Sequence, residues 1–207
     1  MKYLKIITLV LTLILIASCT KKEPIDLSEG MVDDIMYSET TDITNFIKIE
    51  TSKDEVIIIE LLPEYAPITV ENFQNLVEKK FYDESIFHRV IEGFMIQGGQ
   101  SATGEEVQTI KGEFKANGIE NNLLHERGVI SMARLGDDMD SATSQFFIMH
   151  QDNPGLDGEY ASFGKVIAGM DVVDRIATTR VDNPASMAPK PVVNQVIRTI
   201  RFVTIEE

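Results

Sequence analysis

The sequence predicts a mainly β domain, a closed antiparallel sheet with two helices. Three observations point there: short β-branched and aromatic runs recur along the chain, turn-forming residues separate them, and only two segments keep a helical period. Period by itself does not separate a barrel from a sandwich. A length of 207 residues allows one domain plus extensions, and a hydrophobic content of 43% suffices for a packed core.

Residues 1–18 read as a lipoprotein signal peptide. Lys2 and Lys5 precede the uncharged apolar run 6–17, which is too short to span a bilayer comfortably and has the length of a signal-peptide core. The run ends Ile16-Ala17-Ser18-Cys19. Small residues before a cysteine are similar to a bacterial lipobox, cut before a cysteine whose thiol then carries lipid, palmitate included. Cys19 is the single cysteine, so no intrachain disulfide can form in a chain that reads as exported. The expected location is the bacterial cell envelope, on the outer side of the cytoplasmic membrane or in the outer membrane, with the lipid as anchor. Residues 19–42 are polar and acidic without a sustained period and read as a flexible tether. The folded domain is expected over 43–207.

Ile47 and Ile49 alternate with Lys48 and Glu50, the period of a strand. Ser52-Lys53-Asp54 supplies a turn, and Val56-Ile57-Ile58-Ile59-Glu60-Leu61 pairs back as a hairpin. Pro63 and Pro67 interrupt the sheet. Pro67 suits the first turn of a helix, where its missing N–H matters little. Val70, Phe73, Leu76 and Val77 share one helical face, with Glu71, Gln74 and Glu78 facing away. Strand character returns at 87–91 and 94–96 around Glu92-Gly93. Residues 101–118 are polar and irregular. Strands follow at 128–133, 145–149 and 163–166, with a turn-rich loop at 137–143 and a turn at Asp157-Gly158. Met170, Val173 and Ile176 mark a helical face in 170–177. Residues 192–203 supply the last strand, with Ile197, Ile200 and Val203 as core candidates.

The formal net charge of −14 argues against nucleic acid, which needs clustered Lys and Arg, and reads as an acidic solvated exterior. His125 and His150 show no metal-ligand spacing with carboxylates. Ser144 lies outside a G-x-S-x-G elbow, and Gly98-Gly99 opens no helix and lacks the following Lys-Ser/Thr of a phosphate loop. No metal or cofactor is expected.

The most informative segment is Phe87-His88-Arg89-Val90-Ile91-Glu92-Gly93-Phe94-Met95-Ile96-Gln97-Gly98-Gly99, where a cation, an amide and large apolar side chains fall within a few residues. It resembles the signature strand pair of the cyclophilins, which are peptidyl-prolyl cis/trans isomerases. The resemblance continues through Ala66-Pro67-x-Thr69-Val70-x-Asn72-Phe73, Gly128-Val129-Ile130-Ser131-Met132-Ala133-Arg134 and Ser141-Ala142-Thr143-Ser144-Gln145-Phe146-Phe147-Ile148. It also covers Leu156-Asp157-Gly158-x-Tyr160-Ala161-x-Phe163-Gly164-Lys165-Val166. It implies a closed eight-stranded antiparallel barrel capped by two helices, with the substrate groove on its outer face.

The resemblance also implies roles. Arg89 matches the family's catalytic arginine. Phe94, Met95, Phe147, Leu156 and Tyr160 match its proline pocket, and Gln97 and Gln145 match residues that fix the substrate backbone and orient the arginine. Ala133 and Arg134 match the strand edge that pairs with the residue before proline, through backbone groups. Phe146 is expected to point into the barrel and His88 to the face opposite Arg89. The implied partners are unfolded or extended proline-containing polypeptides, met by a monomer. A non-catalytic proline-peptide-binding module or holdase on the same fold is the alternative, and loss of Arg89, Phe94 or Gln97 would favour it. The sequence departs from many eukaryotic members at Gly155, where they carry tryptophan, and in the polar loop after Gln100. The first departure implies a pocket with one thinner wall.

Overall fold

A computed structural model describes residues 28–206, so the expected signal segment, Cys19 and the start of the expected tether lie outside the described residues. The strands are β1 (Glu29–Val32), β2 (Ile35–Glu39), β3 (Phe46–Thr51), β4 (Val56–Leu61), β5 (Ser85–Phe87), β6 (Arg89–Ile91), β7 (Met95–Gly98), β8 (Val129–Met132), β9 (Phe146–Met149), β10 (Ser162–Ala168) and β11 (Gln195–Glu206). The helices are α1 (Pro67–Glu78) and α2 (Met170–Ala177). Every predicted strand and helix between residues 46 and 203 is present, with shifts of a few residues at the ends.

The expectation of a closed eight-stranded barrel is corrected. Among the described residues the sheet has 11 strands in the order β1-β2-β11-β3-β4-β10-β8-β9-β7-β6, with β5 also on β11, and hydrogen bonds do not close it. Two features account for the difference. The expected strand 87–91 divides at His88, where the chain leaves its partner β11 and continues as β6 against β7. The seam is therefore crossed by the chain itself. There β7 lies so close to β5 that a Cβ on Gly98 would sit 3.2 Å from the Ile86 carbonyl and 3.1 Å from the Phe87 ring, which explains glycine at that position. The second feature is the length of β11, which runs past β3 and pairs with β2 at its far end.

A register shift between Ile197 and Thr199 lets Ile197 and Ile200 both reach the main core despite their odd spacing. That core holds the inward residues of the sheet, Ile47, Ile49, Ile57, Ile59, Ile96, Phe146 and Ile148 among them, together with the apolar face of α1. Phe73 of that helix packs against Tyr82, Phe146 and Phe163 with ring centroids 5.1–5.7 Å apart. Burying one such side chain stabilises the fold by about 1.5–3 kcal/mol. Ala66 has no side-chain cap to offer α1. Instead the buried Glu113 accepts from Ile68 N–H (3.0 Å), Thr69 N–H (2.7 Å) and Thr69 Oγ1 (2.7 Å), placing an anion where helical amides lack partners.

Residues 29–39 correct the tether expectation. They form a β-hairpin whose central residues Asp33 and Asp34 have φ of 48° and 67°, as a two-residue turn of this hand requires. β2 then extends the sheet on β11. Tyr37, only 2% exposed, packs with Val56, Ile58, Ala168 and Val203 on the outer side of the sheet. Glu39 reaches the fully buried Lys48 ammonium at 2.5 Å, which Glu50 also meets at 3.1 Å. Asp33 accepts from Gly169 N–H at 2.7 Å, at the start of α2. This cover explains why Val56-Ile57-Ile58-Ile59 is apolar without alternation: both faces of β4 are buried.

Candidate active site

Side chains alternate along a strand, so the sheet register decides which residues share a surface. Arg89 lies opposite Gln97, Gln97 opposite Phe147, and Phe147 opposite Ser131. The intervening Val90, Ile96 and Ile148 join the core. Phe146, as expected, lies in the core while Phe147 packs with Met95, Met149 and Val129 on the other side.

Nine of the ten substrate-site residues proposed from the sequence line one concavity of about 260 Å3: Arg89, Phe94, Met95, Gln97, Ala133, Arg134, Phe147, Leu156 and Tyr160. The tenth, Gln145, is joined to it by a chain of hydrogen bonds. Arg89 Nη1 donates to Gln97 Oε1 (3.1 Å), and Gln97 Nε2 donates to Gln145 Oε1 (3.0 Å). Arg89 Nε donates to the Met187 carbonyl (2.9 Å). Nη1 also lies 3.9 Å from Met95 Sδ, and the guanidinium stands 6.0 Å from the Phe94 ring centre. Among the described residues no carboxylate pairs with Arg89, and its Nη2 has no acceptor. Burial lowers the Arg89 pKa from the usual guanidinium value, with the Tyr160 phenol opposing the shift; the group stays cationic at neutral pH.

Arg134 does more than the backbone contact expected of it. Its side chain is 8% accessible, and the guanidinium lies between the rings of Tyr160 (4.9 Å) and Phe114 (5.1 Å). It donates to the carbonyls of Glu159, Leu135 and Gly136. Among the described residues its own backbone N–H and carbonyl have no partner, whereas Ala133 N–H is committed to the Gln145 carbonyl at 2.8 Å. Phe147 and Tyr160 meet edge to face at 5.6 Å. Gly155 is exposed and lies outside the lining.

A family model described as "Cyclophilin type peptidyl-prolyl cis-trans isomerase/CLD" matches residues 46–201. The chain belongs to the cyclophilin-type peptidyl-prolyl isomerases. The "Peptidyl-prolyl cis-trans isomerase" of Acinetobacter baylyi is 49% identical over 126 residues, covering 58% of this chain and 66% of that one. "Peptidyl-prolyl cis-trans isomerase A" of Dickeya dadantii is 44% identical over 144 residues, covering 66% and 75%. The crystal structure of a cyclophilin type isomerase from Cryptosporidium parvum matches with a TM-score of 0.67 at 29% identity, covering 79% of this chain and 98% of that one. This cyclophilin is a peptidyl-prolyl cis/trans isomerase in protein folding, and cyclophilin isomerases act on proline-containing peptides.

Sequence reasoning missed the supports of this cyclophilin's pocket. His125, 2% exposed, lies behind it, its ring stacked 6.1 Å from Phe147. Asp157 Oδ1 meets His125 Nδ1 (3.0 Å) and accepts from His125 N–H (2.7 Å), tying down the segment that carries Leu156 and Tyr160. His150 Nδ1 accepts from Gly93 N–H (2.9 Å) and the His150 backbone N–H donates to the Phe94 carbonyl (2.9 Å), holding the turn between β6 and β7. The adjacency of Leu156 and Asp157 was the one signal for any of this. Among the described residues, no group of three or more His, Cys, Asp or Glu is arranged to hold a metal. His88 is half-buried and does not line the concavity.

Burial lowers the His125 pKa, outweighing the pull of Asp157. His88 is lowered chiefly by burial and then by Arg89 beside it. Both bind protons less readily when folded than when unfolded. Their share of stability is therefore complete above the unfolded imidazole value of about 6.5 and declines as pH drops through it. The urea midpoint at about pH 5.5 is expected below that at about pH 7.5, with a flatter dependence in His125→Phe. Equal midpoints in the wild type would contradict this.

Proposed function

We propose that Arg89 lowers the barrier to X-Pro rotation by hydrogen bonding to the twisted amide. Rotation loses amide resonance across about 18–20 kcal/mol. As the bond twists, the proline nitrogen becomes pyramidal and gains a usable lone pair. A cation aimed there stabilises the transition state over either planar form, which is what catalysis requires. The observation that carries this reading is the state of the Arg89 guanidinium. Gln97 and the Met187 carbonyl hold it, no described carboxylate neutralises it, and Nη2 is left without an acceptor beside an apolar pocket. Donors fixed in advance spend nothing on reorganisation during the reaction.

The proline ring sits against Phe94, Met95, Phe147, Leu156 and Tyr160, which exclude water from the twisting bond. The unpaired backbone groups of Arg134 bind the extended chain before proline as an added strand would. Gln145 keeps Gln97, and through it Arg89, in place. All these groups come from one chain, which supports a monomeric enzyme. The test is isomerisation of a short X-Pro peptide by the wild type and Arg89→Ala. Bound peptide with no accelerated exchange in the wild type would favour a non-catalytic binding module instead.

The reading of residues 1–19 further places this activity at a membrane surface in the cell envelope, on extended, exported polypeptides. Lys2, Lys5, the apolar run 6–17 and Ser18-Cys19 support a signal peptide and a lipid-bearing Cys19. The hairpin at 29–39 belongs to the sheet, so the tether reading is kept only for the residues before it. Cys19→Ala is expected to abolish incorporation of labelled palmitate and to release the protein from membranes. Undiminished labelling would sink the lipoprotein assignment and leave the isomerase assignment intact.

A further inference from the structure

Strand β6, which carries Arg89, ends the hydrogen-bonded sheet order. Its open side is covered by the loop 181–191, Val-Asp-Asn-Pro-Ala-Ser-Met-Ala-Pro-Lys-Pro. Two successive residues of β6 are engaged: Arg89 Nε donates to the Met187 carbonyl at 2.9 Å, and Val90 N–H donates to the Pro189 carbonyl at 3.1 Å. The loop has its own internal frame. Val181 and Pro191 form a bridge across its base, and Asp182 N–H donates to the Lys190 carbonyl at 2.9 Å. Asp182 Oδ1 then accepts from Asn183 N–H (2.7 Å) and Lys190 N–H (2.9 Å). One carboxylate oxygen thus joins the two ends of the exposed arch that presents Met187. Pro184, Pro189 and Pro191 fix three φ angles in eleven residues and reduce the alternatives open to the free chain.

A guanidinium on a flexible stem has no fixed direction unless its N–H groups are held. Here Gln97 holds Nη1 and the loop holds Nε, so the direction of Nη2 follows from both. We infer that the loop 181–191 is a positioning element of the isomerase site, aiming Arg89 through the Met187 carbonyl, with Asp182 the side chain that keeps the loop in shape. Asp182 is a positioning residue: it meets neither the pocket nor Arg89. The N–H groups around it lower its pKa, as expected of a carboxylate that is an engaged acceptor. The inference rests on the assignment of Arg89 to the reaction.

Because Arg89 acts on the twisted amide, misaiming it changes kcat rather than KM. In the full-length protein, Asp182→Ala is expected to lower kcat for a short X-Pro peptide roughly fivefold with KM within about twofold. Asp182→Asn, which keeps an acceptor oxygen, recovers most of that loss. Asp182 is exposed, so both variants fold. In an Arg89→Ala background Asp182→Ala adds nothing further. An unchanged kcat in Asp182→Ala, or a raised KM with kcat retained, overturns the inference while Arg89→Ala still lowers kcat. If Arg89→Ala leaves kcat unchanged, the Arg89 assignment fails and the inference falls with it.

Discussion

Replacing Arg89 by alanine is expected to lower kcat/KM for a short X-Pro peptide by about one to two powers of ten while leaving the fold unchanged. The magnitude follows from the bond that is lost. A hydrogen bond from a charged donor contributes about 1.5–3 kcal/mol, and when it forms only in the transition state each 1.36 kcal/mol is tenfold in rate. The planar ground states do not use this bond, so KM changes little and kcat carries the loss. No described carboxylate pairs with Arg89, so its removal strands no buried anion and stability is affected only slightly. Arg89→Lys keeps the charge but not the planar fork held by Met187 and Gln97, and its rate is expected to fall between the two. Exchange rates by nuclear magnetic resonance, with circular dichroism as control, decide the matter. Turnover of Arg89→Ala within twofold of wild type would defeat the mechanism.

Tyr37→Ala is expected to have the opposite profile, a large loss of stability with activity retained. The side chain is 2% exposed against Val56, Ile58, Ala168 and Val203, and the Lys48 ammonium lies 5.7 Å from its ring centre. Truncating a buried aromatic residue costs about 3–5 kcal/mol, or roughly 10 °C in Tm for a domain of this size. The hairpin also carries Glu39 to the buried Lys48, so loosening it weakens a charge pair that the interior cannot replace with water. Tyr37 does not line the catalytic concavity, and isomerase activity at 25 °C is expected to persist. A loss below about 1 kcal/mol in urea unfolding would show that residues 29–39 contribute little to the stability of the domain, as expected of a tether.

That misreading has a physical cause. Residues 29–39 alternate weakly, and only Tyr37 becomes fully buried. What fixes the hairpin is its pairing with β11 and the outer face of β4, supplied by residues far along the chain. The sequence did carry a trace of it, in the unbroken apolar run of β4 and in the two aspartates between Val32 and Ile35. The seam at His88 left no comparable trace, because a strand that changes partners keeps its composition.

The sequence by itself determined the local elements and the chemical content of the site. Alternation, proline placement and helical period reflect interactions within a few residues, and the strand pair bearing Arg89, Phe94, Met95 and Gln97 is contiguous, so its register follows from one short turn. Only the tertiary structure decided the cover on β4, the open order of the sheet, the Glu113 carboxylate at the start of α1, and the Met187 carbonyl that accepts from Arg89. Glu113 and Met187 lie 44 and 98 residues from the groups they hold. A backbone carbonyl is the same whatever residue bears it, so composition cannot mark which one will meet the guanidinium; the packing of loop 181–191 against β6 makes that choice.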